Sequence, residues 1–92
     1  MAEIIWSNTA LNDLKVIGSF IAQDSEYYAR IVVQKIYNSV QRLAPFPESG
    51  KMIPEFLNHN YREIIVKPYR VFYLFENEKV NILTIVHSKE NV

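Results

Sequence analysis

Apolar positions at the start of the chain predict a short strand followed by a helix. Residues 3–6 form a brief apolar run, and the Ser-Asn-Thr sequence after it is suited to capping a helix. Apolar residues then recur at intervals of three and four positions, as on one face of a helix: Ala10, Leu11, Leu14, Ile17 and Ile21. Gly18 interrupts this helix at a cost of about 1 kcal/mol relative to alanine, so we expect a neighbouring element to approach closely there.

A second helix follows after a short break at Asp24-Ser25-Glu26, which can end one helix and cap the next. Its apolar stripe comprises Ala29, Val32, Val33, Ile36, Val40 and Leu43. The stripe ends before Pro45, which is incompatible with a continuing helix. Two helices with so short a connection predict an αα-hairpin.

The last third of the chain predicts three antiparallel strands. Residues 45–60 contain three of the four prolines, together with Gly50, Asn58 and Asn60, and they are expected to form a loop. Strands are predicted at 61–66, 69–76 and 80–87. The fold class is therefore α+β: an N-terminal strand, an αα-hairpin and three antiparallel strands, with the helices packed on one face of a four-stranded sheet. The N-terminal strand is expected at an edge, and residues 1–92 form a single domain.

Both alternating sets of residues on the last strands are apolar, whereas a helical hairpin covers only one face of a sheet. The second face is therefore expected to be covered by the loop, by a second copy or by a partner. We expect the helical residues Ile17, Ile21, Ile36 and Val40 to pack on sheet residues from the set Ile65, Val71 and Ile82.

The composition of the chain excludes some classes of function and disfavours others. Ten basic and ten acidic residues give a net charge of zero, which disfavours extended contact with nucleic acid. The segment 61–75 is locally positive, with Arg62, Lys67 and Arg70 against Glu63. The chain has no cysteine, which excludes disulfides and thiol chemistry. With no signal peptide before Trp6 and no apolar run of membrane-spanning length, we expect a cytoplasmic location and no membrane partner.

Several short motifs, taken in order, resemble the RelE/ParE superfamily of type II toxin–antitoxin toxins. They are the strand ending at Trp6 with its Ser-x-x-Ala, Asp13-Leu14, the Ile-Ala-x-Asp-Ser turn at 21–25, Phe46-Pro47-x-x-Gly50-Lys51, Pro54-Glu55, Tyr61-Arg62-Glu63-Ile64, Tyr69-Arg70-Val71-Phe72-Tyr73 and Val86-His87. The resemblance implies a toxin of a plasmid-stabilisation type module that inhibits growth and needs no cofactor or metal. It also implies a cognate antitoxin whose extended segment wraps the toxin. Because the sheet has two apolar faces, the free chain is also a candidate homodimer.

The superfamily has two branches with different targets. One resembles metal-independent endoribonucleases that cut mRNA on the ribosome, and the other resembles ParE toxins that poison DNA gyrase. For the nuclease branch, the resemblance implies catalytic roles for Glu55, Arg70 and His87. Such cleavage needs a base, a cation for the phosphorane and an acid. The predicted binding residues are Arg62, which suits a phosphate, Tyr73, which suits stacking on a base, and Lys67 and Lys89.

Structural roles compete with each catalytic assignment. Glu55 follows a proline and suits a loop, Arg70 and Glu63 can pair across two strands, and His87 ends an apolar strand. The strand starting at Tyr61 also lacks the lysines typical of ribosome-dependent members. Since a gyrase contact is a protein–protein contact and tolerates a neutral chain, the sequence favours the ParE-like branch, with the endoribonuclease as the alternative. A third hypothesis is a non-toxic relative that is retained as an interaction module.

Overall fold

The computed structural model describes residues 1–88, and its two helices pack on one face of a five-stranded sheet. The elements in chain order are β1 (Glu3–Trp6), α1 (Asn8–Ala22), α2 (Glu26–Gln41), β2 (Lys51–Met52), β3 (Tyr61–Val66), β4 (Tyr69–Glu76) and β5 (Lys79–His87). Their order across the sheet is β1-β5-β4-β3-β2. β1 runs parallel to β5, and the other neighbouring strands are antiparallel.

The predicted α+β fold, with a helical hairpin on one face and β1 at an edge, is confirmed. Two details of the sheet differ from the expectation. The sheet has five strands rather than four, because Lys51–Met52 pairs with β3 inside the segment predicted as loop. It is also mixed rather than antiparallel, because β1 enters beside β5 in the parallel direction.

Both helices begin at the predicted capping positions. The Ser7 hydroxyl accepts a hydrogen bond from the N–H of Ala10 at 3.0 Å, and that of Ser25 accepts one from Tyr28 at 3.1 Å. Gly18 provides the predicted close approach between the helices, since a Cβ there would lie 3.1 Å from Cγ2 of Val33. The hairpin is therefore held by tight packing near the middle of α1.

The core lies between the hairpin and the sheet. Ile36 and Val40 of α2 are fully buried with Val71 and Ile82 of the sheet, as expected. Ile17 packs against this core while only partly buried. Ile65 does not join the core, because it lies on the opposite face of the sheet and is 46% exposed.

A side chain of α1 closes the edge of β5 beyond the end of β1. One carboxylate oxygen of Asp13 accepts a hydrogen bond from the Thr84 hydroxyl at 2.6 Å and another from the N–H of Ile85 at 2.9 Å. The Ser7 hydroxyl donates to the carbonyl of Leu83 at 2.9 Å on the same edge. The side chains of Ser7 and Asp13 thus take the place of a strand partner for β5 beyond the end of β1.

The face of the sheet away from the helices is called here the open face. Strand alternation places Glu63, Ile65, Arg70, Phe72 and Leu74 on it, because their neighbours along each strand point toward the helices. Arg70 and Glu63 are the charged members of this set, and the other three are apolar. The two candidate sites described below lie on this face and along the outer edge of β3.

Candidate functional site

Arg70 is held in a bidentate ion pair on the open face. Its Nε lies 2.7 Å from Oε1 of Glu63, and its second terminal nitrogen lies 3.0 Å from Oε2. The Glu63 residue is only 7% exposed, and the guanidinium carbon sits 4.8 Å from the centre of the Phe72 ring. The hydrogen bonds that Arg70 donates to Glu63 raise the pKa of Arg70 above its ordinary value. A phosphate could occupy this guanidinium fork only by displacing a nearly buried carboxylate.

His87 lies on the other face of the sheet from Arg70. It pairs with Tyr69, and the two rings meet edge to face with their centres 5.5 Å apart. Both residues line a cleft of about 540 Å³ against α1, which contributes Ile17 and Phe20. Since Tyr69 and Arg70 are neighbours on one strand, their side chains point in opposite directions.

A register shift between β4 and β5 explains this placement. The strands pair Tyr73 with Ile82 but Phe72 with Thr84, so that β5 contains one extra residue. A shift of one residue moves every side chain of the strand beyond it to the other face of the sheet. Without the extra residue, the register would carry His87 onto the face of Arg70.

Glu55 lies in the exposed loop between β2 and β3, and its charge contributes to the raised pKa of Arg70. The structure therefore brings Glu55 toward Arg70 and leaves His87 on the far side of the sheet. The three predicted catalytic residues do not converge on one point.

Two of the predicted binding residues instead hold the loop between α2 and β2. The Tyr73 hydroxyl donates to the carbonyl of Pro47 at 2.8 Å and accepts from the N–H of Gly50 at 2.9 Å. Arg62 donates to the carbonyls of Glu48 and Gly50 at 3.1 and 3.0 Å. Tyr73 is fully buried, and burial raises its pKa above the ordinary value. Its ring therefore has no exposed surface on which a base could stack.

The close approach of this loop explains why residue 50 is a glycine. A Cβ at Gly50 would lie 2.4 Å from the Tyr73 hydroxyl oxygen and 2.8 Å from the carbonyl oxygen of Glu63. Any side chain at this position would therefore push the loop off the sheet.

The other two predicted binding residues are Lys67 and Lys89. Lys67 is exposed in the turn between β3 and β4, where a partner can reach it. Lys89 lies outside the described residues.

Sequence reasoning missed a groove along the outer edge of β3. It has a volume of about 450 Å³, and its lining includes Arg42 and Leu43 at the end of α2, Phe46, Lys51 and Ile65. The one local signal for it is the two-residue strand Lys51–Met52 after Gly50, which is too short to cover the six-residue β3.

Among residues 1–88, no group of three His, Cys, Asp or Glu side chains is placed to hold a metal ion. Neither described helix is long and apolar enough to cross a membrane.

Comparison with known proteins identifies the class to which this two-helix, five-stranded fold belongs. The structure of a chromosomal ParDE toxin–antitoxin system from Pseudomonas aeruginosa superposes with a TM-score of 0.79 at 21% identity, covering 95% of this chain and 96% of that one. The RelBE2 toxin–antitoxin complex of Mycobacterium tuberculosis superposes with a TM-score of 0.57 at 20% identity, covering 94% and 96%. The fold is that of the RelE/ParE toxins.

Sequence comparison gives the family. The model of the ParE toxin of type II toxin–antitoxin systems matches residues 4–92. Toxin RelE2 of Caulobacter vibrioides is 30% identical over 88 residues, which cover 96% of this chain and 97% of the relative. The chain belongs to the ParE toxin family of type II toxin–antitoxin systems.

Proposed function

We propose that this toxin acts by binding a protein target, DNA gyrase, and not by cleaving RNA. The observation that carries the proposal is the bidentate contact of Arg70 with Glu63 on the open face, with His87 on the opposite face. The alternative is a metal-independent endoribonuclease acting on mRNA at the ribosome. It needs Glu55, Arg70 and His87 to act together on one phosphate.

The nuclease alternative requires a base, a cation and an acid around one scissile phosphate. Arg70 is the cation that this alternative would use, and its fork already binds a carboxylate at hydrogen-bond distances of 2.7 and 3.0 Å. A phosphate would also meet the negative charges of Glu63 and Glu55, which both act on Arg70. The electrostatics of the open face therefore disfavour an RNA substrate.

A protein target suits the rest of the surface better. The hairpin exposes large apolar side chains, which are Leu11, Val16, Phe20, Tyr27, Tyr28 and Ile31. Exposed aromatic residues on a neutral chain are typical of protein–protein contact surfaces. The family model that spans residues 4–92 describes a ParE toxin, which agrees with the gyrase branch.

The same proposal includes a cognate antitoxin that neutralises the toxin. Three solved structures with this fold come from toxin–antitoxin systems and complexes. An antitoxin that binds only the folded toxin would also stabilise it, by mass action. Free chains are expected to self-associate through the same apolar surface.

The test compares purified toxin in a gyrase supercoiling assay and in a ribosome-programmed mRNA cleavage assay. We expect inhibition of supercoiling, relieved by the antitoxin, and no cleavage. His87→Gln is the informative variant, since it removes the predicted acid/base group. A nuclease would lose activity with this variant, whereas a gyrase inhibitor would retain its potency. Cleavage that is abolished by His87→Gln would overturn the proposal.

Because the Arg70–Glu63 pair supports the fold, the variants of this pair are compared at matched folded fraction. Glu63→Gln releases the guanidinium, so it should increase cleavage if RNA were the substrate. Under the gyrase proposal, Glu63→Gln should leave the inhibition per folded molecule unchanged. Lys79→Gln, at the exposed start of β5, serves as the control.

A further inference from the structure

The outward side of α2 carries positive charge, and the segment that forms it contains no acidic residue. All ten acidic residues of the chain lie outside residues 27–47, whereas Arg30, Lys35 and Arg42 lie within this segment. These three cations line one shallow surface together with uncharged polar side chains of the same helix, which are Gln34, Asn38 and Ser39. This surface is called here the cationic face.

The charges of the cationic face are not neutralised within the protein. Among residues 1–88, the two ion pairs join the arginines of the sheet to Glu48 and Glu63, and no cation of this face has an acidic partner within 4.0 Å. The guanidinium of Arg42 instead donates to the Ser39 hydroxyl at 3.2 Å, which holds it beside the helix. All three cations can therefore receive an anionic ligand without displacing a carboxylate.

Helix geometry places cations on both flanks of this face. The spacing between Arg30 and Lys35 separates them by about 140° around the helix axis and about 7.5 Å along it. Gln34 and Asn38 lie between the two flanks, on the side of the helix opposite the buried Ile36. The Gln34 amide donates to the side-chain oxygen of Asn38 at 2.8 Å, so the remaining N–H groups of the two amides can donate to a ligand.

This arrangement matches the major groove of duplex DNA. That groove is about 12 Å wide and admits an α-helix, whose diameter is about 10–12 Å. A helix in the groove meets base edges along its middle and phosphates on both walls. Cations on both flanks with amides between them provide a partner for each of these groups. An acidic peptide has no second wall of charge, and duplex RNA has a major groove too narrow for a helix.

The contact is focal, which agrees with the neutral charge of the whole chain. Arg30 and Arg42 span about 18 Å along the helix, so the face reaches few phosphates and binds weakly. At the N-terminal end of the face lie Tyr27 and Ile31, which belong to the exposed apolar side chains that suit a protein target. One toxin molecule can therefore contact a protein and a duplex held by that protein.

We infer that the cationic face binds duplex DNA through its phosphates. Arg30 and Lys35 contact opposite walls of the major groove, and Arg42 contacts a phosphate further along the duplex. The inference goes beyond the gyrase proposal and does not depend on it, because DNA binding is measured with no gyrase present. The two are compatible, since the substrate of gyrase is duplex DNA.

The test measures the fluorescence anisotropy of a labelled DNA duplex of about 20 base pairs, titrated with the full chain at about 50 to 200 mM salt. We expect a dissociation constant of about 10⁻⁴ to 10⁻⁶ M near physiological salt, as is typical of binding without sequence specificity. The logarithm of the association constant should fall against the logarithm of salt concentration with a slope of about −2.7, since each of three neutralised phosphates contributes about −0.9.

Matched double variants separate the cationic face from the net charge of the chain. Arg30→Gln with Lys35→Gln should weaken binding at low salt about tenfold or more and reduce the slope to about −0.9. Lys15→Gln with Lys79→Gln removes the same charge from exposed positions on α1 and β5, and it should leave the slope unchanged and the affinity within about twofold. Circular dichroism and thermal melts of each variant report whether it is folded.

Nuclear magnetic resonance locates the bound duplex on the wild-type chain without any substitution. On addition of the duplex, the backbone amide signals of residues 30–42 should shift, and those of β1 should stay in place. Shifts confined to the sheet would place the duplex elsewhere and overturn the inference.

The remaining outcomes are equally decisive. If the folded wild type does not bind the duplex at low salt, or if both double variants weaken binding to the same extent, the cationic face is not a DNA site. If polyglutamate displaces the duplex at equal charge concentration, or duplex RNA of the same sequence binds as tightly, the face accepts anions in general and its assignment to duplex DNA is wrong. Inhibition of gyrase without DNA binding would remove this inference alone, whereas DNA binding without inhibition would remove the gyrase proposal alone.

Discussion

The Arg70–Glu63 pair allows a quantitative test of whether this arginine is structural or catalytic. In the variant Arg70→Met, the carboxylate of Glu63 loses both of its hydrogen bonds to the guanidinium. The Glu63 side chain is 9% exposed and that of Arg70 is 24% exposed. The pair therefore lies between a surface ion pair, worth about 0.2–1 kcal/mol, and a buried one whose disruption costs about 3–5 kcal/mol.

Since removing Arg70 opens a path for water to the carboxylate, we expect Arg70→Met to lower the free energy of unfolding by about 2–3 kcal/mol. Glu63→Leu should cost less, about 1–2 kcal/mol, because the remaining guanidinium keeps its contact with solvent and with Phe72. The double variant replaces the pair with apolar side chains of similar size and should cost about 1 kcal/mol or less.

The assay is urea unfolding of wild type, both single variants and the double variant, with Lys35→Met as a control that should stay within about 0.5 kcal/mol of wild type. The double-mutant cycle should give a coupling energy of about 2–5 kcal/mol. Strictly additive single variants, or an Arg70→Met protein as stable as wild type, would refute the reasoning. Arg70 would then be an arginine that the fold does not use, as expected of a catalytic group.

Local patterns predicted the helices and the long strands because their signals lie within each segment. The caps at Ser7 and Ser25 and the apolar stripe of α2 need no knowledge of distant residues. The strand Lys51–Met52 has no such pattern, and it exists because β3 offers an edge to pair with. Likewise, the parallel direction of β1 depends on its pairing with β5, which lies at the other end of the chain and leaves no local pattern in β1.

The chemistry of the site depended on long-range contacts that sequence patterns do not encode. Strand alternation gave the face of Arg70 relative to Tyr69, but the face of His87 depends on the extra residue in β5 near Leu83. Arg62 and Tyr73 have the side chains of a nucleic-acid site, and the loop that folds over them makes them structural. The Arg70–Glu63 pair was foreseeable as one alternative. The two residues are diagonal neighbours on paired strands, and long side chains at such positions can reach each other.

Further predictions concern the two contacts that hold the hairpin and the loop on the sheet. Asp13→Ala should lower the free energy of unfolding by about 2 kcal/mol, measured in urea, because the N–H of Ile85 loses its acceptor; an unchanged stability would mean that water replaces the carboxylate. Gly50→Ala should cost about 1–3 kcal/mol in the same assay, since its Cβ overlaps the Tyr73 hydroxyl; a neutral result would mean that the loop moves freely. Tyr73→Phe should cost about 2 kcal/mol at pH 7, because the Gly50 N–H and the Pro47 carbonyl lose their shared partner. Burial raises the pKa of Tyr73 above its ordinary value of 10.0, so the folded state favours the neutral phenol. This contribution is fully present below the unfolded pKa and is lost as pH rises through the folded pKa, so the stability of wild type should fall more steeply above about pH 10 than that of Tyr73→Phe. The other tyrosines are common to both proteins, so parallel stability curves from pH 8 to pH 11 would mean that the folded state does not shift the pKa of Tyr73.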